Sequence, residues 1–145
     1  MLQEPYFKQS APKSTGRDLF NLPWLQAFSH ADYAPADVQA TLLELTVQTI
    51  QQAISNDCPG TQEIYVCGGG ARNSALMQRL REACAENAIP VALTDTLGVS
   101  AEQVEALAFA WLARQTVLGK AGNLTAVTGA KHPCILGARY PAKPA

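Results

Sequence analysis

The chain has 145 residues, 48% of them hydrophobic and 16% charged, with a net charge of −1. That balance fits one packed domain and excludes a disordered segment, and the near-neutral charge leaves no electrostatic footprint for nucleic acid or anionic lipid. Apolar runs are interrupted well short of a membrane span, and no basic stretch followed by an apolar one opens the chain, so neither a spanning helix nor a secretory signal is expected.

Residues 1–35 carry Pro5, Pro12, Gly16, Pro23 and Pro35, which leave room for short helical or extended pieces only. Tyr6, Phe7, Leu19, Phe20, Leu22, Trp24, Leu25 and Phe28 recur between them. A linker would not carry such residues, so this arm is expected to pack on a hydrophobic surface. From Ala36 to about Ser55 the pattern is helical: Val38, Leu42, Leu45 and Thr49 form a stripe, widened by Leu43, Val47, Ile50 and Ile54. Pro35 suits a first helical turn, Asp37 complements the helix dipole, and Asp57-Cys58-Pro59-Gly60 stops the helix.

Glu63 to Cys67 reads as a short buried strand. Gly68-Gly69-Gly70 follows, then a helix from about Asn73 to Asn87 with Leu76, Met77, Leu80 and Ala83 at helical spacing. Pro90 to Thr94 reads as a second strand. Ser100 and Gln103 match a capping box that would open a third helix, continued by Val104, Leu107, Ala108, Trp111 and Leu112 and closed by Gly119. The tail is punctuated by Gly122, Gly129 and Gly137. This order predicts an α/β fold. Two short strands make a poor sheet and need others to pair with, so the chain reads as part of a larger fold.

The four cysteines, Cys58, Cys67, Cys84 and Cys134, form no CxxC pair and have no histidine at zinc spacing. They read as reduced, mostly buried thiols of a cytosolic protein, and no metal site is assigned to them.

Ile64 through Asn73 carries the chemistry: a strand, three glycines and a helix start. Glycines tolerate positive φ and let a ligand approach the backbone, while the following helix amides carry partial positive charge. Such a corner suits a phosphate or the flat face of a nucleotide. The alternative is a tight turn whose glycines serve packing alone. Three glycines directly after a strand favour binding over that alternative. GxGxxG fails because Asn73 stands at the third glycine position, although Asp95, at the end of the next strand, keeps a Rossmann-type dinucleotide reading open. A P-loop fails outright, since Gly119-Lys120 is followed by Ala121.

Cys67-Gly68-Gly69-Gly70-Ala71-Arg72-Asn73 resembles the adenosine-side glycine turn of the actin/hexokinase/Hsp70 superfamily. Three further blocks resemble one branch of it, the anhydro-N-acetylmuramic acid kinases. They are Pro12-Lys13-Ser14-Thr15-Gly16-Arg17 with Phe20-Asn21, Glu105 through Leu112, and Gly122-Asn123-Leu124 with Val127-Thr128-Gly129-Ala130. The resemblance covers essentially the whole chain. It implies the C-terminal lobe of an actin-like ATPase (ribonuclease H-like) fold, with an incomplete sheet, an arm at 1–35 and an α/β core at 36–145. It implies ATP-dependent phosphorylation of 1,6-anhydro-N-acetylmuramic acid with hydrolytic opening of the anhydro ring, in cell-wall recycling in the cytoplasm, with Mg²⁺ accompanying the nucleotide. The nucleotide side would be Gly68, Gly69, Gly70, Ala71 and Asn73, and Glu105 would reach the sugar.

In that family the first phosphate loop and the catalytic aspartate lie in an N-terminal half, and Met1 to Phe7 looks like the middle of a helix in a full-length member. No catalytic base is therefore nominated among these residues, and the chain alone is expected to be inactive. Exposed core surface would then drive homodimerisation or other self-association. The rival reading is a non-catalytic remnant that only binds a nucleotide or dimerises.

Other candidates are weighed by pattern. Lys13 to Arg17 would either wrap an anion or form a polar capping loop. Asp95 and Thr96 are expected to cap the loop into Gly98. Trp24 and Trp111 read as core or interface residues, and His30 and His132 as surface histidines.

Overall fold

The computed structural model describes residues 1–28 and 32–141; His30 lies outside the described residues. The arm contains a 3₁₀ turn at Pro5–Lys8 and a short helix α1 (Leu22–Gln26). Then come α2 (Pro35–Asp57), β1 (Ile64–Val66), a 3₁₀ turn at Gly69–Arg72, α3 (Ser74–Ala85), β2 (Val91–Leu93), a 3₁₀ turn at Thr94–Leu97, α4 (Val104–Val117) and α5 (Thr125–Thr128). The strands pair in parallel, with Ile64 opposite Val91 and Val66 opposite Leu93. A parallel pair needs a crossover, and α3 supplies it.

The core is the seam between α2, α3 and the sheet. Val47, Met77, Leu80, Ala83, Cys84 and Val91 are buried there, ringed by Leu43, Ile50, Ile64, Val66, Leu76, Ile89 and Leu93. The α3 face is the predicted one. On α2 the buried residue comes from the widening set, because the helix has two partners. Leu43, Val47 and Ile50 face the core, whereas Leu42 shares a hollow with Phe20, Trp24 and Leu25 of the arm.

Polar contacts fasten the same seam. Arg79 grips Glu44 with two parallel hydrogen bonds of 2.8 and 3.0 Å, and Gln51 donates to the carbonyl of Ala83 (2.6 Å) in the last turn of α3. The hydrogen bond from Arg79, reinforced by Gln48, holds the Glu44 carboxyl below its ordinary range. A depressed carboxyl contributes stability that is present above its unfolded value and lost as pH falls through the folded one. Glu44→Gln should therefore lower the denaturation midpoint at neutral pH, and the difference from wild type should close on acidification below the ordinary glutamate range. Denaturant titrations at the two pH values measure it.

The arm packs mainly on itself. Phe7 and Phe20 stack at 5.4 Å, Phe20 meets Trp24 edge-on at 5.0 Å, and Trp24 meets Phe28 at 5.1 Å. The Trp24 indole N–H donates to Glu4 (2.9 Å), as an aromatic of this kind requires when half-buried. Residues 5–8 form a 3₁₀ turn and not the middle of a regular helix, since Pro5 removes one donor and the turn closes on Gln9.

Four expectations need correction. Cys58 and Cys67 are exposed and Cys134 is half-buried; only Cys84 is buried, and burial raises its thiol pKa. The capping box is absent. Its position is occupied by a turn, the Gln103 side chain makes no cap, and α4 begins at Val104. Lys13 does not face outward toward an anion: its ammonium donates to the carbonyls of Tyr6 (3.3 Å) and Phe7 (3.2 Å) and lies over the Tyr6 ring. Finally, the apolar face of α4 is helical but uncovered, with Leu107 54%, Phe109 64% and Trp111 49% exposed.

Candidate functional site

The carboxyl ends of β1 and β2 bring three turns together. Gly68, two residues past β1, has φ +80° and ψ −172°, a conformation that L side chains rarely adopt. Its amide donates to the carbonyl of Ala101 (2.7 Å), a residue buried just ahead of α4. The glycines do not run straight into the helix, as the sequence implies. The 3₁₀ turn intervenes, closed by Ala71 N–H to Gly68 O (3.1 Å) and Asn73 N–H to Gly70 O (3.1 Å). Asn73 then caps α3, its side-chain oxygen accepting from the Leu76 amide at 3.1 Å.

This leaves a specific opening. Among the described residues no acceptor is placed for the Gly69 and Gly70 amides, and a Cβ built at Gly68 or Gly69 meets nothing within 4 Å. The first-turn amides of α3, a helix long enough to present a positive end, lie beside it. Two amides with no acceptor among the described residues can donate to an anionic oxygen or to a polar ring atom. Arg72 adds little free charge, because it is paired with Glu102 across the turn (Nε to Oε1, 2.6 Å), and both side chains are well exposed.

Of the residues proposed from sequence, Gly68, Gly69, Gly70, Ala71 and Asn73 are brought together in this corner. Glu105 lies in the first turn of α4, exposed, three residues beyond Glu102. Asp95 follows the loop-capping reading: its carboxylate accepts the Ala101 amide (3.1 Å) and its carbonyl accepts the Gly98 amide (3.0 Å). Thr96 donates back to Leu93 (2.8 Å). Sequence reasoning gave no role to Arg72, Glu102 or Ala101. Arg72 and Glu102 lie 30 positions apart, and only the crossover through α3 brings them into contact.

The other blocks quoted from the sequence also come near one another. A side chain at Gly129 would press on Pro12 (3.2 Å), and one at Gly122 on Leu112 (3.0 Å) and Leu136 (3.3 Å). Asn123 pins the tail by accepting the Cys134 amide at 2.6 Å. Among the described residues no three of His, Cys, Asp or Glu converge on a metal position, and no helix is long and apolar enough to cross a membrane.

An α/β chain with an open, amide-lined glycine corner at the carboxyl edge of its strands has the features of a small-ligand site of the phosphate or nucleotide kind. Comparison with known proteins gives the family. The family model described as anhydro-N-acetylmuramic acid kinase matches residues 1–142, and the chain belongs to that family. It is 54% identical over 142 residues to a protein of that name from Nitrosospira multiformis, and 51% identical over 142 residues to one from Nitrosomonas europaea. A relative of the same name from Ralstonia nicotianae is 54% identical over 142 residues. These matches cover 98%, 98% and 96% of this chain but only 38%, 39% and 37% of the relatives, so the chain spans about two fifths of their length.

Proposed function

We propose that this chain is the nucleotide side, the C-terminal lobe, of an ATP-dependent kinase that phosphorylates 1,6-anhydro-N-acetylmuramic acid while its anhydro ring is opened by water. The observation that carries the reading is the pair of acceptor-free amides at Gly69 and Gly70, in a chain of this family. Their corner fits the adenosine or phosphate side of ATP, with Gly68, Ala71 and Asn73 fixing its shape. Glu105, on α4 just beyond the residues that hold the corner through Ala101 and Glu102, is proposed for the sugar wall. The arm at 1–35 and the α/β core at 36–145 are proposed to act as one unit; Pro12 of the arm lies where a side chain at Gly129 would press on it. ATP supplies the phosphoryl group, and Mg²⁺ would come with its phosphates. The reaction belongs in the cytoplasm, in cell-wall recycling.

Phosphoryl transfer rests on positioning and charge neutralisation from both sides of a cleft. The 145 residues alone should therefore show no measurable turnover and weak or no ATP affinity. The test is kinase activity on the anhydro sugar with MgATP, with and without an added N-terminal part of a relative. Activity only on complementation is the expected result. Turnover by the chain alone would overturn the single-side reading.

A non-catalytic dimerising or nucleotide-binding module is the second reading, favoured by the uncovered face of α4. Leu107, Phe109 and Trp111 on that helix, with Leu124 and Val127 beyond it, expose apolar surface of a kind that associates. Sedimentation should show self-association that weakens when Phe109 and Trp111 are made polar; a stable monomer binding no hydrophobic dye would count against it. The Rossmann-type reading is the least supported, since the carboxylate meant for a ribose is engaged by Ala101, and a thermal shift with NAD(H) but not ATP would restore it.

A further inference from the structure

We infer that Asp95 is a positioning residue for the glycine corner, acting through Ala101. Residues 98–102 form a strap that touches the corner at both of its ends. Ala101 holds Gly68 by the 2.7 Å bond from the Gly68 amide to its carbonyl. Its neighbour Glu102 holds Arg72 at the other end of the corner. Between these two points lie Gly69 and Gly70, whose amides have no acceptor among the described residues. The strap thus grips the turn at its margins and leaves its middle open.

What holds the strap is Asp95. Gly98, in the left-handed region at φ +81°, turns the chain back, closed by Gly98 N–H to Asp95 O (3.0 Å) and Val99 N–H to Thr94 O (3.3 Å). The Asp95 carboxylate then reaches forward to the Ala101 amide at 3.1 Å. One peptide residue, Ala101, is thereby fixed on both sides, its N–H by Asp95 and its C=O by Gly68, and it is buried at 7% exposure. Gly68 must hold a glycine-only conformation, so an external acceptor aimed at its amide is what keeps that conformation populated. The Arg72–Glu102 pair is the weaker grip, since both side chains are solvated and exposed ion pairs contribute little. The consequence for ATP rests on the nucleotide reading above; the positioning itself does not.

Amide hydrogen exchange by NMR on the 145-residue chain tests it. Asp95→Ala should speed exchange at Gly68 and Ala101 about tenfold, the size of one net hydrogen bond, while Met77 and Leu80 stay protected. Asp95→Asn keeps an acceptor oxygen and should restore wild-type protection at Gly68. Glu102→Ala should move Gly68 by much less. Wild-type exchange at Gly68 in Asp95→Ala would overturn the inference. If Asp95→Ala also loses protection at Met77 and Leu80, Asp95→Asn decides: loss of Gly68 protection there overturns the inference, and retention supports it. Titration with millimolar MgATP, run on the chain complemented by the N-terminal part of a relative, separates the two readings. Shifts at Gly69 and Gly70 that weaken in Asp95→Ala support both, whereas no shift in wild type sinks the nucleotide reading and leaves the exchange result to judge Asp95.

Discussion

Leu80→Ala should destabilise the chain by about 2–5 kcal/mol, the range for emptying a leucine-sized volume from a packed interior. Leu80 and Val47 are the largest side chains buried completely, and they occupy the seam where α2, α3 and the sheet meet. Only seven hydrophobic residues among those described are buried, so few neighbours remain to close such a cavity. A small domain is stable by roughly 5–15 kcal/mol, which makes this loss a large fraction of the total. Leu107→Ala on the uncovered face of α4 is the matched control and should move the midpoint by no more than about 0.5 kcal/mol. Denaturant unfolding of both variants measures the contrast. Equal midpoints for Leu80→Ala and wild type would mean that the α2–α3 seam is not the core.

Local pattern carried much of this architecture. The heptad-like spacing of Leu76, Met77, Leu80 and Ala83 placed one face of α3 in the interior, and three of the four are buried. Pro35 and Gly119 mark the ends of α2 and α4 because their backbone demands are local: a fixed φ in a first turn, and a left-handed residue after a last one. What escaped depends on contacts that no helical or strand period announces. Ser100 and Gln103 satisfy the capping-box spacing, yet the Ala101 amide between them is claimed by Asp95 and its carbonyl by Gly68. Ala101 is thus held by bonds outside the helix, its carbonyl by Gly68, and α4 begins at Val104. Lys13 looks like an anion ligand until its neighbours Tyr6 and Phe7 present two carbonyls to it. The α4 pattern is a true helical face, but a pattern states which residues want cover and not what covers them.

The glycine corner was legible as a corner and not in its detail. Three glycines after a strand announce a tight turn; the 3₁₀ turn that separates them from α3, and the division of labour among them, do not follow from composition. Gly68 is conformationally required, while Gly69 and Gly70 lack a positive φ; a Cβ at Gly69 would meet nothing, and one at Gly70 would lie 3.6 Å from Leu76. That difference is the source of the second large effect.

Gly68→Ala and Gly69→Ala should fail in opposite ways. At Gly68 a methyl group meets nothing within 4 Å, so the penalty is backbone strain at φ +80°, on the order of 1–3 kcal/mol. The turn should relax, weakening the Gly68–Ala101 bond and lowering the denaturation midpoint. At Gly69 the backbone is compatible with alanine and the space is equally open. Alanine there removes freedom from the unfolded chain and should raise stability by about 0.4–1 kcal/mol. Its methyl group, however, stands where a ligand would approach the Gly69 and Gly70 amides. In the complemented kinase, KM for ATP should therefore rise at least about tenfold for Gly69→Ala, the cost of roughly 1.4 kcal/mol of lost binding. Steady-state kinetics beside denaturant titrations read both quantities on the same pair of variants. A Gly69→Ala enzyme that is stabilised and keeps its KM would leave the glycines a purely structural turn and remove the nucleotide from this corner.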